Sequence, residues 1–333
     1  MKINCFMPIG LMLLIVFSCA NDKTPIKNKY KKRSPMADYF LMEGNKFLKK
    51  HDFKRALALA DSAGLYAIKK DDVYFFKGRI YSELGRFSKA DQAYNNTINI
   101  NPDYIGAWNN LGNNAFRQQN FSQAVEYYKK EIIKNKTSTP FRALGRAYVE
   151  LGKTDSARIC FQHSIDINNN YASAYLNLAQ LEEDEGNLNK ALQLASRAYA
   201  LEPNNVEYQY VYSTILVQMD RGKEAIYSLR EIIKEWPWHH GAHYNLGRAL
   251  IQSGQKVEGQ QYLDESEKIR ANQAKIDHLE KNFNKVSKMF LNSKYLWGGK
   301  TSDGIDCSAL VQIFFYYNRV FFPRDSSDQM KFC

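Results

Sequence analysis

The sequence predicts a mainly α-helical fold in which about seven helix pairs follow one another along the chain. Small residues recur every 33 or 34 positions, and a second series of small residues accompanies the first. The first series is Gly44, Gly78, Gly112, Gly145, Ala179, Ser213 and Gly247, and the second is Ala56, Ala90, Ala124, Ala157, Ala191, Ala225 and Gly259. Pro102, Pro203 and Pro237 stand where the second helix of a pair should end. Small residues let the paired backbones approach, and large ones fill the space between pairs.

The front of the chain has the pattern of a secretory signal. Lys2 precedes an apolar run from Cys5 to Phe17, and Ser18-Cys19-Ala20 supplies small residues at a cleavage site. The run is too short to span a bilayer comfortably. Val16-Phe17-Ser18-Cys19 resembles a bacterial lipobox, which implies that residues 1–18 are a lipoprotein signal peptide and that Cys19 is lipidated. The alternative is an ordinary cleaved signal peptide, in which Cys19 has no role and is not lipidated.

These features predict a membrane-anchored lipoprotein of the bacterial cell envelope, on the periplasmic or outer-membrane side. Residues 19–36 are polar and predict an unstructured tether, with six basic residues against Asp22. The basic residues are Lys23, Lys27, Lys29, Lys31, Lys32 and Arg33. Beside a lipid anchor, each such charge adds on the order of 1 kcal/mol of attraction to an anionic surface. A solvated linker is the alternative interpretation.

The composition indicates a folded protein with a basic net charge. The 333 residues are 44% hydrophobic, which suffices for a core, and the net charge is +11. This charge favours acidic partners or anionic surfaces, but no nucleic-acid-binding motif accompanies it. No phosphate-binding glycine loop and no paired catalytic carboxylates occur, so no cofactor is expected. The few cysteines argue against a disulfide scaffold, and Cys160 beside Phe161 is predicted to lie in the core.

Residues 37–269 resemble the tetratricopeptide repeat, and Trp108-Asn109-Asn110-Leu111-Gly112 is one of the clearest copies. The resemblance implies a right-handed superhelix whose first helices line a concave groove that holds a peptide or partner protein. It places eight side chains inward: Arg79, Asn109, Asn113, Arg142, Arg146, Asn177, Gln180 and Arg248. Their donors and positive charge suit carboxylates or an acidic extended segment. Tyr210 and Tyr244 would extend the groove. Some of these residues could alternatively be solvated helix faces.

Two further features lie near the end of the repeats, a pair of histidines and a polar segment. His239 and His243 stand four apart, as zinc ligands on a helix can. His243 occupies the aromatic position of its repeat, and no Cys or Glu at ligand spacing joins the pair, so no metal site is expected. Residues 270–282 are predicted to form a polar closing helix that links the array to residues 283–333.

The end of the chain contains the residues that favour covalent chemistry. Gly298, Gly299 and Gly304 indicate a tight loop, and helical spacing of apolar residues follows Cys307. Asp306 is a good N-cap, and a sulfur in the first helical turn lies close to unpaired amides that favour the thiolate. This placement predicts a cysteine nucleophile; a buried structural cysteine is the alternative.

The segments Tyr295-Leu296-Trp297-Gly298-Gly299, Asp306-Cys307-Ser308 and Phe322-Pro323-Arg324, with Gln329, resemble the NlpC family of papain-like cell-wall peptidases. Ala309 and Phe322 depart from its usual Gly and Leu. The resemblance implies that residues 283–333 form part of an α+β domain in which Cys307 attacks stem-peptide amides of peptidoglycan. Tyr295, Asp306 and Ser308 would bind the free amine of the stem peptide.

The family also uses a histidine base that follows the cysteine, and no His follows Cys307 in this sequence. We therefore expect an incomplete peptidase domain and no hydrolysis by this chain alone. Two functions stay open: an envelope protein whose repeats present a peptidase domain to peptidoglycan, or a non-enzymatic scaffold whose repeats bind a partner protein.

Overall fold

The computed structural model describes residues 34–289, 300–301 and 304–305, and side chains from residue 34 to 274. The described residues form fourteen helices and two short strands. The helices are α1 (Pro35–Lys49), α2 (Phe53–Tyr66), α3 (Asp71–Glu83), α4 (Phe87–Ile100), α5 (Ala107–Arg117), α6 (Phe121–Lys134), α7 (Ser138–Glu150), α8 (Thr154–Ile167), α9 (Ala172–Asp184), α10 (Leu188–Leu201), α11 (Val206–Gln218), α12 (Gly222–Glu235), α13 (His240–Gln252) and α14 (Lys256–Met289). The prediction of a mainly helical array of pairs is confirmed.

The chain divides into two compact units, residues 1–107 and 108–333. In the first unit, α1 packs on α2 and α3 packs on α4, and the pairs meet through α2 and α3. In the second unit, helices pack in chain order from α6 to α14, and the first helices α7, α9, α11 and α13 also contact one another in succession. That second set of contacts produces the surface that carries the candidate site.

The turn inside each pair places one residue in the left-handed backbone region. These residues are His51, Gly85, Gln119, Gly152, Gly186, Asp220 and Gly254, with φ between 58° and 89°. In the third helix, for example, the amide of Arg86 donates to the carbonyl of Tyr81, and that of Gly85 donates to Ser82. This is the Schellman arrangement, which pairs the last helix carbonyls and reverses the chain. The turn therefore recurs with the same period as the small residues.

The two series of small residues lie inside the helix pairs. Ala56, Ala90, Ala124, Ala157, Ala191 and Ala225 are fully buried. Cys160 is also buried, as predicted, and burial raises the pKa of its thiol to about 11. The predicted role of proline is confirmed too, because α4, α10 and α12 each end two residues before Pro102, Pro203 and Pro237.

The edges of the array differ from the sequence-based boundaries. The first helix begins at Pro35, and the Ser34 hydroxyl accepts a hydrogen bond from the Ala37 amide at 3.5 Å. Residues 270–282, expected as a separate closing helix, continue α14, which runs without a break from Lys256 to Met289. Strands β1 (Lys300–Thr301) and β2 (Gly304–Ile305) pair in antiparallel register, Lys300 with Ile305 and Thr301 with Gly304.

Candidate functional site

The first helices of the second unit are joined by hydrogen bonds between residues one repeat apart. An Arg142 guanidinium nitrogen on α7 donates to the Asn177 side-chain oxygen on α9 at 3.3 Å. The Gln218 amide on α11 donates to Glu183 on α9 at 2.7 Å, and the Asn245 amide on α13 donates to the Tyr210 hydroxyl at 3.4 Å. Each of these pairs is 35 residues apart. The helices therefore present one continuous polar surface.

Arg142 is held in a fixed orientation on this surface. Its Nε donates to the Tyr171 hydroxyl at 2.8 Å, and its guanidinium carbon lies 5.5 Å from the centroid of the Tyr171 ring. With the bond to Asn177, two of its nitrogens are committed to neighbours. Because a guanidinium has donors on all three nitrogens, the remaining ones can point to a ligand.

Arg146 lies one helical turn further along α7 and is exposed. Its guanidinium carbon is 4.9 Å from the Phe116 ring centroid, a cation–π contact. The nearby Tyr128 hydroxyl donates to Asn113 at 2.9 Å, and burial raises the pKa of Tyr128 while Arg146 and Arg142 oppose the rise. The structure thus brings four of the predicted groove residues into one neighbourhood: Asn113, Arg142, Arg146 and Asn177.

A cavity of about 490 Å³ opens on the same surface, across α7, α9 and α11. Among the predicted groove residues, Arg146, Asn177 and Gln180 line it, and the Asn177 amide donates to Gln180 at 3.4 Å. Tyr210 also lines it. The other lining residues are Val149, Glu150, Phe161, Leu181, Glu183, Asp184, Val211 and Thr214. The cavity combines hydrogen-bonding amides, hydroxyls and apolar patches.

The charge of this cavity differs from the positive surface expected from the sequence. One cation, Arg146, faces three carboxylates, Glu150, Glu183 and Asp184. Burial raises the pKa of Glu183, although the hydrogen bond from Gln218 opposes the rise. Sequence reasoning missed these acids because it selected donors at inward positions. A signal was available, since Glu150 and Asp184 are separated by one repeat of 34 residues.

Three predicted groove residues lie apart from this cluster. Arg79 belongs to the first unit, where its guanidinium donates to Asn45 at 2.9 Å. Asn109 has a buried side-chain oxygen without a hydrogen-bond partner, and its backbone amide donates to Glu131 at 3.2 Å. Arg248 on α13 lies over the Tyr244 ring at 5.9 Å.

The paired histidines have structural contacts. The Nδ1 atom of His239 accepts a hydrogen bond from the Ala242 amide at 3.0 Å, which caps α13, and burial lowers the pKa of His239. The Nε2 atom of buried His243 lies 2.8 Å from the Pro237 carbonyl oxygen. Between residues 34 and 274, no group of three His, Cys, Asp or Glu side chains is arranged to hold a metal.

The residues predicted for covalent chemistry and anchoring, Tyr295, Asp306, Cys307, Ser308 and Cys19, lie outside the described residues. In that part of the chain the structure describes only the β1–β2 pair. Among the described helices, none is both long and apolar enough to cross a bilayer.

Family models match most of the array and part of the segment that follows it. Tetratricopeptide repeat models match residues 71–104, 105–130 and 142–206. A model described as anaphase-promoting complex, cyclosome, subunit 3 matches residues 184–266. The NlpC/P60 family model matches residues 292–332.

Curated relatives match through the repeats. Human tetratricopeptide repeat protein 8 is 39% identical over 72 residues, which is 22% of this chain and 13% of that protein. Anaphase-promoting complex subunit 3 of Schizosaccharomyces pombe is 22% identical over 170 residues, or 51% of this chain and 26% of that protein. The chain therefore spans about a quarter or less of the length of these relatives.

Solved structures share the fold. PilW, described as a widely conserved type IV pilus biogenesis factor, matches with a TM-score of 0.55 at 15% identity, covering 62% of this chain and 97% of that one. The pilF protein of Pseudomonas aeruginosa matches with a TM-score of 0.54 at 16% identity, covering 61% and 92%. At these identities the likeness shows the fold alone. Together with the family models, it confirms the repeat array.

Proposed function

We propose that this tetratricopeptide repeat array is a protein-interaction platform whose second unit binds an extended peptide segment in the cavity across α7, α9 and α11. The observation that carries the proposal is the Arg142–Asn177 hydrogen bond beside that cavity, because it fixes a cation and an amide next to open space. Preorganised groups lose little conformational entropy when a ligand arrives.

The chemistry of the surface defines the ligand. Arg142 and Arg146 provide guanidinium donors for a carboxylate, the group that such a fork recognises best. Asn177 and Gln180 can donate to and accept from a peptide backbone. Glu150, Glu183 and Asp184 provide acceptors for a lysine or arginine side chain. The ligand we propose is therefore a segment with both acidic and basic residues, rather than a purely acidic one.

Peptide binding tests this proposal. Acetylated and amidated peptides of alternating Glu and Lys should bind more tightly than all-Glu or all-Lys peptides of equal length, with affinity falling as salt rises. Replacing Arg142 and Arg146 by Ala should weaken binding about tenfold, since it removes charged hydrogen bonds. Glu183→Gln with Asp184→Asn should remove the preference for the mixed peptide.

Glu185→Gln is the matched control, because Glu185 lies next to Asp184 but its carboxylate is 3.6 Å from Arg158, outside the cavity lining. It removes one negative charge at the same helix end, against two in the double variant, and should leave the affinity and the preference for the mixed peptide unchanged. A peptide affinity that is unchanged in the Arg142 and Arg146 variants would place the peptide site elsewhere on the protein.

We further propose that the protein is anchored in the cell envelope through Cys19 and directs an NlpC-type segment at peptidoglycan stem peptides. The lipobox-like sequence, the Asp306-Cys307-Ser308 motif and the family match over residues 292–332 support this. By resemblance to the family, Cys307 would be the nucleophile, and Tyr295, Asp306 and Ser308 would hold the free amine of the stem peptide. No His follows Cys307 in this sequence, so for this chain alone we propose stem-peptide binding rather than hydrolysis.

Stem-peptide binding tests the second proposal without requiring turnover. Asp306→Asn should weaken the binding of a stem peptide with a free amine, because it removes the opposing charge. Cys307→Ala should leave binding nearly unchanged, since the nucleophile acts after binding. Equal binding of free and acetylated stem peptides would contradict the assigned amine site.

A non-enzymatic scaffold is the second candidate function. It is favoured by the polar groups that the repeats alone bring to the cavity across α7, α9 and α11, which can bind a peptide without any other domain. Separate variants of Cys307 and of the groove distinguish the two candidate functions. If cells carrying Cys307→Ala behave as wild type while the Arg142, Arg146 double variant fails, the repeats carry the function.

A further inference from the structure

The first helix pair exposes an apolar and aromatic surface where a terminal pair of a repeat array should be polar. On α1, Met36, Tyr39 and Met42 are 47%, 52% and 53% exposed and follow one another at helical spacing. Beyond the C-terminal end of α2, Ile68 is 62% exposed, and Leu65 within its last turn is 83% exposed. These five residues and Tyr66 are named the entry patch.

Aromatic contacts join the two helices at this patch. The Tyr66 ring stacks on Phe40 with centroids 5.7 Å apart, and Tyr39 meets Phe40 edge-on at 5.6 Å. Because α1 and α2 pack together in antiparallel directions, the start of α1 lies beside the end of α2. Tyr39, Phe40 and Tyr66 are therefore joined by ring contacts, and Leu65 and Ile68 lie within two residues of Tyr66 along the chain. Exposed apolar residues gathered at one end of a helix pair mark an interaction site.

The entry patch lies where the chain enters the array. Ser34 caps α1, and it follows Cys19 by 15 residues, a reach of at most about 50 Å. The intervening sequence contains six basic residues against one acid, and the exposed Lys69 and Lys70 follow Ile68 directly. Asp38 is the exposed acid at the same end of α1, and buried Asp71 and half-buried Asp72 line the cavity beside Ile68 and Lys69. Tyrosine, methionine and leucine bordered by lysine is the composition of a surface that rests at a lipid–water interface.

We propose that the entry patch docks on an anionic lipid surface and so holds the first helix pair against the membrane. This rests on the proposed anchor at Cys19, which would keep the patch within reach of lipid at a high effective concentration. The apolar side chains enter the headgroup boundary, and the exposed Lys69 and Lys70 lie over anionic headgroups. The docked pair would fix where the array begins relative to the bilayer.

A fluorescent probe at the patch tests this in the full chain. Leu65→Cys, in a chain that also carries Cys307→Ser and Cys333→Ser, offers one reactive thiol beyond Cys19, since Cys160 is buried. The lipid-anchored protein is placed in vesicles of phosphatidylethanolamine and phosphatidylglycerol whose acyl chains carry a nitroxide. We expect the probe at residue 65 to lose more than half of its emission.

Lys54→Cys provides the matched control, because Lys54 is exposed at the opposite end of α2. A probe there should keep its emission. Adding Tyr39→Ser and Ile68→Ser should restore emission at residue 65, whereas Ile133→Ser, an exposed apolar residue of the second unit, should not. Vesicles of phosphatidylcholine alone should quench residue 65 less, because they carry no net charge.

Equal emission from the two probe positions would overturn the inference. A probe at residue 65 that becomes less accessible to solvent as the protein concentration rises, without lipid, would also overturn it. That result would indicate that a second copy of the chain covers the patch. Mass analysis of the N-terminal peptide reports separately whether Cys19 carries lipid. A lipidated chain with an unquenched probe leaves the anchor intact and rejects the docking. A chain with Cys5→Ser and Cys19→Ser, labelled only at residue 65 and still quenched by added vesicles, shows docking without the anchor.

Discussion

The Cε1 atom of the Tyr128 ring lies 2.5 Å from the point where a Cβ atom on Gly112 would stand. The two residues are 16 apart, on the two helices of one pair, and the same relationship joins Gly78 to Tyr94 and Gly145 to Phe161. In the next pair Ala179 faces a smaller partner of the same spacing, Ala195, in one buried cluster. In these pairs the small residue of the first helix is thus matched in size to the residue that the second helix packs against it.

Gly112→Ala should destabilise the second unit. The added methyl group meets the ring of Tyr128, which is itself buried and cannot move away, and overpacking of this kind costs about 1–3 kcal/mol. Thermal unfolding followed by circular dichroism measures the loss. Gly64→Ala is the matched control, because its methyl group would lie 3.7 Å from Val73 and should stabilise α2 through helix propensity. Equal midpoints for the two variants would contradict the packing argument.

Gln119→Gly should stabilise the turn between α5 and α6. Gln119 has φ of 61°, a region in which a side chain costs about 1–2 kcal/mol and glycine costs little. The opposite change, Gly152→Ala at φ of 67°, should destabilise the corresponding turn after α7 by a similar amount. Chemical denaturation of the two variants should therefore shift the midpoint in opposite directions, and shifts of the same sign would exclude the backbone explanation.

Glu182 should contribute stability that depends on pH. Its side chain is 1% exposed and accepts hydrogen bonds from Arg158 at 2.9 Å, Lys190 at 2.8 Å and Asn187 at 2.8 Å. Burial alone would raise the pKa of Glu182, but the hydrogen bonds from Lys190, Asn187 and Arg158 hold it below the ordinary value of 4.5. The contribution is complete above pH 4.5 and is lost as pH falls through the lower, folded-state pKa.

Glu182→Gln should therefore lower the free energy of unfolding by about 1–3 kcal/mol at neutral pH. The difference between wild type and variant should shrink below pH 4.5. Urea titrations at several pH values measure it. Asp166→Asn provides a control, since Asp166 is exposed and accepts a hydrogen bond from the Gln162 amide four residues before it on the same helix. A difference that stays constant down to pH 3 would show that the Glu182 carboxylate is not the titrating group.

Cys19→Ala should abolish lipid attachment and release the chain from membranes. Acylation requires the thiol of the lipobox cysteine, so alanine leaves the signal without an acceptor. Membrane fractionation and mass analysis of the mature N-terminus measure the two effects. Ser18→Ala, which keeps a small residue before the cysteine, should be processed normally. If Cys19→Ala is cleaved and fractionates as wild type does, the lipoprotein hypothesis is wrong.

The repeat architecture could be predicted from the sequence because its determinants are local and periodic. The small residues, the prolines after α4, α10 and α12 and the Cys160 core position all follow from spacing along one chain, and the helices confirm them. The left-handed turn residues recur with the same period, but three of them are not glycine: His51, Gln119 and Asp220. A search for a repeated glycine therefore does not find this series. The continuous helix through 270–282 was missed, because a polar composition does not indicate where a helix ends.

The sequence by itself determined the period of the repeats and the pairing of the helices, since each pair repeats the same contacts between residues close in the chain. Only the tertiary structure decided which side chains share the cavity and the entry patch. Arg146, Glu183 and Asp184 line one cavity because α7 and α9 are in contact, and Tyr66 reaches Phe40 because α2 packs on α1. The charge of a site depends on residues from every helix that borders it. A pattern along a single helix does not show which residues of the other helices lie beside it.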